Sequence, residues 1–272
     1  MAITTLNGVI AGFQAPQFFA KQAPAPAAAG KPVSYWPVAG IPGVGLYPNG
    51  SVGGGTYSST GGLVAGQIPH TDPVSGNSYL GRFQSQAGSA PGLLMLADRL
   101  WDYSGFTITQ NTAQTVNSVA WPARDNTGST SGAGVLLGVE ISATVGAATP
   151  TITVAYTNSA TTGSRSATNL DATVSAAATG SFYRIGLQAG DVGVQSVQTL
   201  TLSVSWVSGT MVLVAYRVLA MLEISAAGYS NAIDALTSGM PQLFNGTVPF
   251  LIYTPSTAAA SAIVGQYIET QG

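Results

Sequence analysis

The sequence predicts an all-β protein: a jelly-roll-like β-sandwich with little helix and a long, extended N-terminal arm. Three observations lead to this prediction. Short runs rich in β-branched and aromatic residues alternate with turn residues over the C-terminal two thirds of the chain. Glycine and proline are concentrated in the first 90 residues. Only 7% of the 272 residues are charged, against roughly 25% in a typical soluble protein.

Residues 1–90 are predicted to form the arm. They contain 9 of the 15 prolines and 16 of the 34 glycines but only four charged residues, and the run APAPAAA at 23–29 favours an extended polyproline-like path. Disordered linkers are poor in aromatic residues. We therefore expect the arm to be ordered, with its rings docked in grooves of its own globular part or of neighbouring subunits. The rings predicted to make these assembly contacts are Phe13, Phe18, Phe19, Tyr35, Trp36, Tyr47 and Tyr57.

Residues 91–225 are predicted to form the sandwich. Alternation with a period of two is clearest in Ile152, Val154 and Tyr156, where one face of a strand is apolar. Glycine, asparagine, aspartate and proline separate the apolar runs, as in sandwiches and barrels rather than in βαβ units. Strands are expected at 106–110, 114–120, 135–143, 151–158, 181–188, 196–207 and 210–220.

Residues 226–272 are predicted to complete the sheet or to form an intersubunit contact. This segment contains one weak helical pattern at 229–237, a short apolar strand at 250–253 and a terminal strand near 263–270.

Composition excludes several classes of function. No run of about 20 apolar residues is present, so no membrane-spanning helix is expected. The first 12 residues lack a basic region followed by an apolar one, so no secretory signal is expected. The absence of cysteine removes disulfides, thiolate nucleophiles and cysteine-type metal sites. Eight scattered lysines and arginines do not form the basic patch that nucleic-acid binding needs.

The sequence also lacks a recognisable catalytic constellation. His70 is the only histidine, and no G-x-S-x-G motif accompanies it, so we expect a loop histidine without a catalytic role. The i, i+4 spacing of Asp98 and Asp102 would place both on one face of a helix, where nearby Arg99 favours an ion pair or a cap. We therefore predict no enzyme, no catalytic residue, no cofactor-binding residue and no metal site.

Three isolated charges lie inside apolar strand patterns: Glu140, Arg184 and Arg217. An unpaired charge is costly to bury. These side chains are expected to emerge on the polar face of a strand, or to pair with one another or across a subunit interface.

Six stretches of the chain resemble a known class of protein. They are LLMLADRLW at 93–101, TVNSVAWPAR at 115–124, residues 139–158 with the strand ATPTITVAYTN, LQAGDVGVQSVQTLTL at 187–202, NAIDALTSGMPQLF at 231–244 and GQYIETQG at 265–272. From residue 92 to the C-terminus, about two thirds of its length, the chain resembles virion structural proteins of tailed bacteriophages.

The resemblance implies a virion protein, assembled in the host cytoplasm and acting as a capsid cement or decoration protein. Its implied partners are the major capsid protein and further copies of itself, with a trimer as one form; nucleic acid and membrane are not expected partners. Placement in the tail, connector or baseplate stays open. So does a receptor-binding or carbohydrate-binding module, for which Trp101, Trp121 and Trp206 are the candidate aromatic residues.

Overall fold

The computed structural model describes residues 3, 5–25, 28–47 and 54–272. Short helices and antiparallel strands make up its regular structure. In chain order these are α1 (Leu6–Ala11), β1 (Gln17–Lys21), β2 (Val33–Ser34), β3 (Gly40–Ile41), β4 (Gly55–Thr56), β5 (Ser78–Ala87), β6 (Gly92–Tyr103), β7 (Gln114–Thr115), β8 (Val135–Ala143), β9 (Ile152–Asn158), β10 (Arg165–Thr168), β11 (Phe182–Arg184), β12 (Val194–Leu202), β13 (Thr210–Ile224), β14 (Asn231–Asp234), α2 (Ala235–Ser238), β15 (Gln242–Leu243), β16 (Pro249–Pro255) and β17 (Ile263–Gln271).

The strands form three sheets, and the prediction of an all-β sandwich with little helix is confirmed. A seven-stranded sheet has the order β11-β8-β13-β6-β16-β2, with β4 also pairing with β6. A six-stranded sheet has the order β14-β5-β17-β1-β3, with β15 also pairing with β5. A four-stranded sheet has the order β10-β9-β12-β7.

The seven-stranded sheet closes on itself into a small barrel. Its two outer strands are β2 and β11, and hydrogen bonds join the chain at β2 to the residues that open β11. The Ser34 amide donates to the Gly180 carbonyl at 2.7 Å, and the Phe182 amide donates to the Pro32 carbonyl at 2.9 Å. Closure pairs the backbone groups that edge strands would otherwise leave open. We call this sheet the barrel.

Side-chain alternation gives the barrel an apolar interior and two apolar patches on its exterior. Val212, Val214 and Tyr216 of β13 point inward, where they pack with Phe182 and Phe250. Their neighbours in sequence point outward. At one end of β13 the exterior packs against β9 and β12 of the four-stranded sheet, and at the other end against β5 and β17 of the six-stranded sheet. The sandwich therefore has the barrel as one layer and the two smaller sheets as the other.

Two bulges interrupt the regular alternation of inward and outward side chains where β6 pairs with β13. In β6 Leu100 is an extra residue, because Ala215 pairs with Trp101 and Tyr216 pairs with Arg99. In β13 Leu219 is extra in the same way. Each bulge shifts by one the positions that face inward, so the bulges decide which charged residues lie inside the barrel.

The predicted N-terminal arm is not confirmed. Within residues 1–90, β1 pairs with β17, β2 with β16 and β4 with β6, while the ten-residue β5 is an interior strand of the six-stranded sheet. Pairing in the sheets satisfies the backbone groups of this segment, which is why it does not project from the domain. The predicted polyproline-like run includes residues 26 and 27, which lie outside the described residues.

The glycines of this segment serve close packing around Trp36. A Cβ atom on Gly45 would lie 2.3 Å from the Trp36 ring, and one on Gly66 would lie 2.3 Å from the Gly45 backbone. Only glycine permits backbone to approach a buried indole this closely. The glycine-rich composition that predicted an arm therefore reflects tight wrapping of the chain around its own core.

The predicted strands agree with the structure best where apolar alternation is longest. The predicted strand at 135–143 matches β8, and those at 151–158, 196–207 and 210–220 are present with shifted ends. The predicted strand at 106–110 is wrong, since no strand lies there, and those predicted at 114–120 and 181–188 shorten to two and three residues. Aromatic and polar side chains in these short segments pack beside the sheets without joining them.

Two helical predictions are wrong. Asp98 and Asp102 do not lie on a helix, because Gly92–Tyr103 forms β6. The helix predicted at 229–237 is replaced by β14 and the four-residue α2. β6 is apolar on both sides because it lies between β13 and β16 with cores on both faces. Burial on two faces overrides the local helical pattern.

Candidate functional site

Most of the few charged residues of this protein are buried. In the described part of the chain, Arg82, Glu223 and Asp234 are exposed and five more charged residues are partly exposed, namely Lys31, Asp72, Arg165, Arg184 and Asp191. The surface therefore carries few charges. Among the eight lysines and arginines and ten aspartates and glutamates, the buried ones are Lys21, Asp98, Arg99, Asp102, Arg124, Asp125, Glu140, Asp171, Arg217 and Glu269.

One group of buried charges lies inside the barrel. Arg99 of β6 donates to Glu140 of β8 at 2.8 Å through Nη1, and to Asp102 at 2.9 Å through Nη2. All three side chains have no solvent exposure. Residues 99 and 102 share the inner face because the bulge at Leu100 lies between them.

Aromatic rings surround this guanidinium. Its carbon lies 4.6 Å from the centroid of the Trp36 ring and 5.5 Å from that of Phe250, within the range of cation–π attraction. The Tyr47 hydroxyl donates to Glu140 at 2.9 Å, and the Tyr57 hydroxyl donates to Asp102 at 2.6 Å. Burial alone would lower the pKa of Arg99, but the charges of Glu140 and Asp102 raise it above its ordinary value.

A second group of buried charges lies outside the barrel, between the two exterior cores. Arg124 forms a two-pronged contact with Asp98, at 3.0 Å through Nε and 3.1 Å through Nη2. The Val248 amide donates to the same carboxylate at 2.9 Å. Arg217 approaches Asp98 at 3.8 Å, donates to the Gln242 carbonyl and lies 4.9 Å from the Phe244 ring centroid. Burial lowers the pKa of Arg217, and Asp98 only partly offsets this effect.

These contacts correct the predictions made for isolated charges. Glu140 and Arg217 do not emerge on a polar face; they are buried and paired with Arg99 and Asp98 within the chain. Arg184 is half-buried and pairs with Asp171 at 2.7 Å. Asp98 and Asp102 do not share a face, because the bulge between them sends Asp98 outside the barrel and Asp102 inside.

The only histidine lies in a third buried group. The His70 side chain has no exposure, with Nδ1 2.8 Å from Glu269 and Nε2 3.2 Å from Asp72. Glu269 also accepts hydrogen bonds from Ser78 at 3.0 Å and Tyr267 at 2.8 Å. As predicted, His70 is in a loop. A carboxylate at each ring nitrogen favours the doubly protonated imidazolium.

The His70 group ties the loop before β5 to the C-terminal strand. Burial would lower the pKa of His70, but the hydrogen bond and charge of Glu269, with the charges of Asp72 and Asp98, raise it above its ordinary value. The hydroxyl groups of Ser78 and Tyr267 both donate to Glu269 and not to the ring. That arrangement differs from a nucleophile–base pair, in which the base accepts the hydroxyl proton.

Within residues 3, 5–25, 28–47 and 54–272, no group of three or more His, Cys, Asp or Glu side chains has the arrangement of a metal site. No helix in the same ranges is long and apolar enough to cross a membrane.

The outer face of the six-stranded sheet carries a set of exposed apolar side chains, which lie among the polar Gln84, Gln86 and Gln266. Register places Phe18 opposite Gln266, Ala20 opposite Val264, and Ile41 beside Ala20, all facing away from the core. The apolar residues on or beside this face, with their exposed fractions, are Leu6 (61%), Ile10 (58%), Phe13 (43%), Phe18 (50%), Ile41 (57%), Leu236 (84%) and Val264 (37%). We call this surface the outer apolar face.

A groove of about 450 Å³ lies within the outer apolar face. α1 forms one wall, α2 the other, and β5 and β17 the floor. The Phe13 ring covers Gly81, where a Cβ atom would lie 2.5 Å from the ring. Arg82 and Asp234 are the charged residues that line this groove.

The seven aromatic residues predicted to make assembly contacts fall into two groups. Phe13 and Phe18 are exposed on the outer apolar face. The rings of Phe19, Tyr35, Trp36 and Tyr57 are buried and that of Tyr47 is half-buried, so their contacts are within the chain itself.

Sequence reasoning missed the remaining residues of the outer apolar face. One residue of this face could have been found from the sequence. Val264 is an apolar residue at an outward position of a strand that also has apolar residues at inward positions. Leu6, Ile10, Ile41 and Leu236 lie in short elements whose positions depend on pairing and packing partners distant in the sequence.

The three tryptophans considered for carbohydrate binding are not available for stacking. Trp101 and Trp206 have no exposure and Trp121 has 1%. The Trp101 and Trp121 rings pack together with centroids 5.3 Å apart. They belong to the core between the barrel and the four-stranded sheet.

Comparisons with known proteins give little. No protein family and no curated protein matches the chain. Among solved structures, the crystal structure of the infectious bursal disease virus VP2 subviral particle aligns with a TM-score of 0.22 and 8% identity, over 96% of this chain and 81% of that one. A likeness this weak carries no argument about fold or function.

The first prediction concerns the charges inside the barrel. Arg99→Met should lower the free energy of unfolding by about 3–5 kcal/mol, because it leaves two buried carboxylates without a cation. Urea unfolding measures the change. Adding Asp102→Asn and Glu140→Gln should recover part of the loss, since neutral amides need no counter-charge.

Arg82→Met is the matched control, since Arg82 is exposed and its loss should change stability by no more than about 0.5 kcal/mol. Equal effects of the two single substitutions would contradict the structural role assigned to Arg99.

The second prediction is a pH dependence set by His70. Because its pKa is raised in the folded protein, the stabilisation from the protonated ring is complete below about pH 6.5 and is lost as pH rises through the folded pKa. The Tm advantage of the native protein over His70→Gln should therefore be largest below about pH 6.5 and shrink as the pH rises above it.

NMR titration of the single histidine gives a direct measurement. We expect a pKa above the value of about 6.5 seen in unfolded chains, and a lower one in Asp72→Asn. A folded-state pKa at or below that of the unfolded chain would show the ion-pair arrangement to be wrong.

Proposed function

We propose that the protein is a structural subunit of a tailed-bacteriophage virion, and that it acts as a capsid cement or decoration protein and not as an enzyme. The observation that carries this proposal is a sparsely charged surface on which exposed apolar side chains are gathered on one face. The sequence resemblance to virion structural proteins supplies the context.

The scarcity of surface charge supports a role in an assembly. Soluble monomers keep apart from one another by carrying many charges on the surface. Here Arg82, Glu223 and Asp234 are the exposed charged residues of the described chain. Arg82 and Asp234 lie beside the groove of the outer apolar face, but they have opposite charges and are register partners between β5 and β14, so a partner meets no net charge there. The centres of stable interfaces are depleted in charged residues, so a surface of this kind suits a protein that stays covered in an assembly.

The outer apolar face supplies a surface on which a partner can bind. Its exposed side chains come from α1, β1, β3, β17 and α2 and so spread across one side of the molecule. Soluble monomers rarely expose contiguous apolar patches larger than a few hundred Å². We assign this face to contact with the major capsid protein.

Shell stabilisation would follow from mass action. Each 100 Å² of apolar surface removed from water contributes about 2.5 kcal/mol before the costs of association. A ligand that binds only the assembled shell raises the shell's stability, and many copies add their effects through multivalency. Self-association of the protein, with a trimer as one form, is a separate part of the proposal that mass measurement in solution tests.

The third prediction tests the outer apolar face. Phe18→Ser combined with Val264→Ser should abolish attachment to capsids that lack the protein, because it places hydroxyl groups at the centre of the face. Co-sedimentation measures attachment, and the temperature at which capsids release their contents measures stabilisation. Both residues are exposed, so the variant's own Tm should change little.

Val74→Ser combined with Val192→Ser is the matched control, since both valines are exposed in loops away from this face. The control should attach like the native protein. Failure of the native protein to bind capsids would overturn the cement role, and binding to purified tails instead would favour a tail or baseplate protein.

A further inference from the structure

An open cleft of about 610 Å³ lies away from the outer apolar face. It forms where β4 meets the loop before β5, the loop at 120–124 and the segment after β15. Its volume is within the range of roughly 300–1,000 Å³ that small-ligand sites occupy. The lining includes the polar or aromatic side chains of Thr56, Ser58, Asn77, Arg124, Gln242, Phe244 and Asn245.

The described residues that line the cleft present no charge that is free to meet a ligand. Arg124 is the charged residue in its lining, and it is 3% exposed. Its Nε and Nη2 bond Asp98, and its Nη1 donates to the Tyr57 carbonyl at 2.9 Å. A charged ligand would therefore find no counter-charge here.

Neutral polar groups line the cleft instead. Thr56, Ser58 and Asn245 are exposed, while Asn77 and Gln242 are half-buried. Gln242 Nε2 donates to Asn77 Oδ1 at 3.1 Å, which fixes both amides and directs the Gln242 oxygen elsewhere. Amides and hydroxyls both donate and accept hydrogen bonds, as sugar hydroxyl groups do.

Of the three aromatic residues in the lining, Tyr57 and Trp121 are buried, which leaves Phe244 as the most accessible ring. Phe244 is half-buried, and the Arg217 guanidinium carbon lies 4.9 Å from its centroid. Gly128 lies against the ring, where a Cβ atom would be 2.7 Å from Cε1. A ring held in this way can pack against the C–H face of a sugar without losing side-chain freedom on binding.

We propose that this cleft binds a neutral oligosaccharide. The combination of an immobile aromatic ring with several neutral donors and acceptors fits uncharged sugar rings, which have an apolar face and a hydroxylated rim. An anionic ligand such as a nucleic acid would need cations that the cleft does not offer. A wholly apolar ligand would remove water from the polar groups of Thr56, Ser58 and Asn245 without replacing its hydrogen bonds. This inference does not depend on the capsid role.

The fourth prediction tests this inference with the full chain and a defined panel of probes. Maltohexaose, cellohexaose, chitohexaose and mannohexaose are the neutral probes, and a heparin hexasaccharide and a neutral hexapeptide are the comparisons. We expect saturation-transfer NMR and calorimetry to detect binding of at least one neutral oligosaccharide. Asn245→Ala combined with Thr56→Val should weaken that binding at least 10-fold, because it removes two sets of hydrogen-bonding groups.

Asn111→Ala combined with Thr257→Val is the matched control, since both residues are exposed outside the cleft. Equal Tm values would show that the cleft variant folds, and the control should bind like the native protein. The inference is overturned if no neutral oligosaccharide binds, if the heparin or peptide probe binds more tightly, or if the cleft variant binds undiminished. The Phe18→Ser and Val264→Ser protein should keep its sugar binding, which separates this result from the capsid assay.

Discussion

The fold depends on one buried cation. Arg99 lies inside the closed barrel, bonded to Glu140 and Asp102 and surrounded by aromatic rings. A guanidinium without partners could not remain there, because its desolvation costs several kcal/mol. Its carboxylates come from β6 and β8, and the tyrosines that bond them come from the N-terminal segment. The charge therefore specifies how three distant parts of the chain meet.

The same burial of charge explains the surface. A chain with so few charged residues that uses ten of them in its interior has few left to keep copies of itself apart. An apolar outer face and a neutral cleft are consequences of that distribution. They suit two kinds of contact: one broad and apolar, as between subunits, and one small and hydrogen-bonded, as with a sugar.

The glycines of the N-terminal segment have a different structural role from the one that the composition predicts. Rich glycine and proline content predicts an extended arm, yet Gly45 and Gly66 permit backbone to lie against the buried Trp36 ring. Of the seven aromatic residues expected to dock either within the protein or on neighbouring subunits, five pack within the chain. Composition shows that a segment cannot form helices, but it does not show which surface the segment covers.

The sequence by itself determined the all-β class, the scarcity of helix and the long strands such as Val135–Ala143, because alternation of apolar residues is a local property. Tertiary structure alone decided that residues 92–103 form a strand, that Leu100 forms a bulge and that Asp98 and Asp102 face opposite ways. It also decided the closure of the barrel between Ser34 and Gly180. The physical reason is the same in each case: these features depend on pairing between residues far apart in sequence, and no local pattern records the partner.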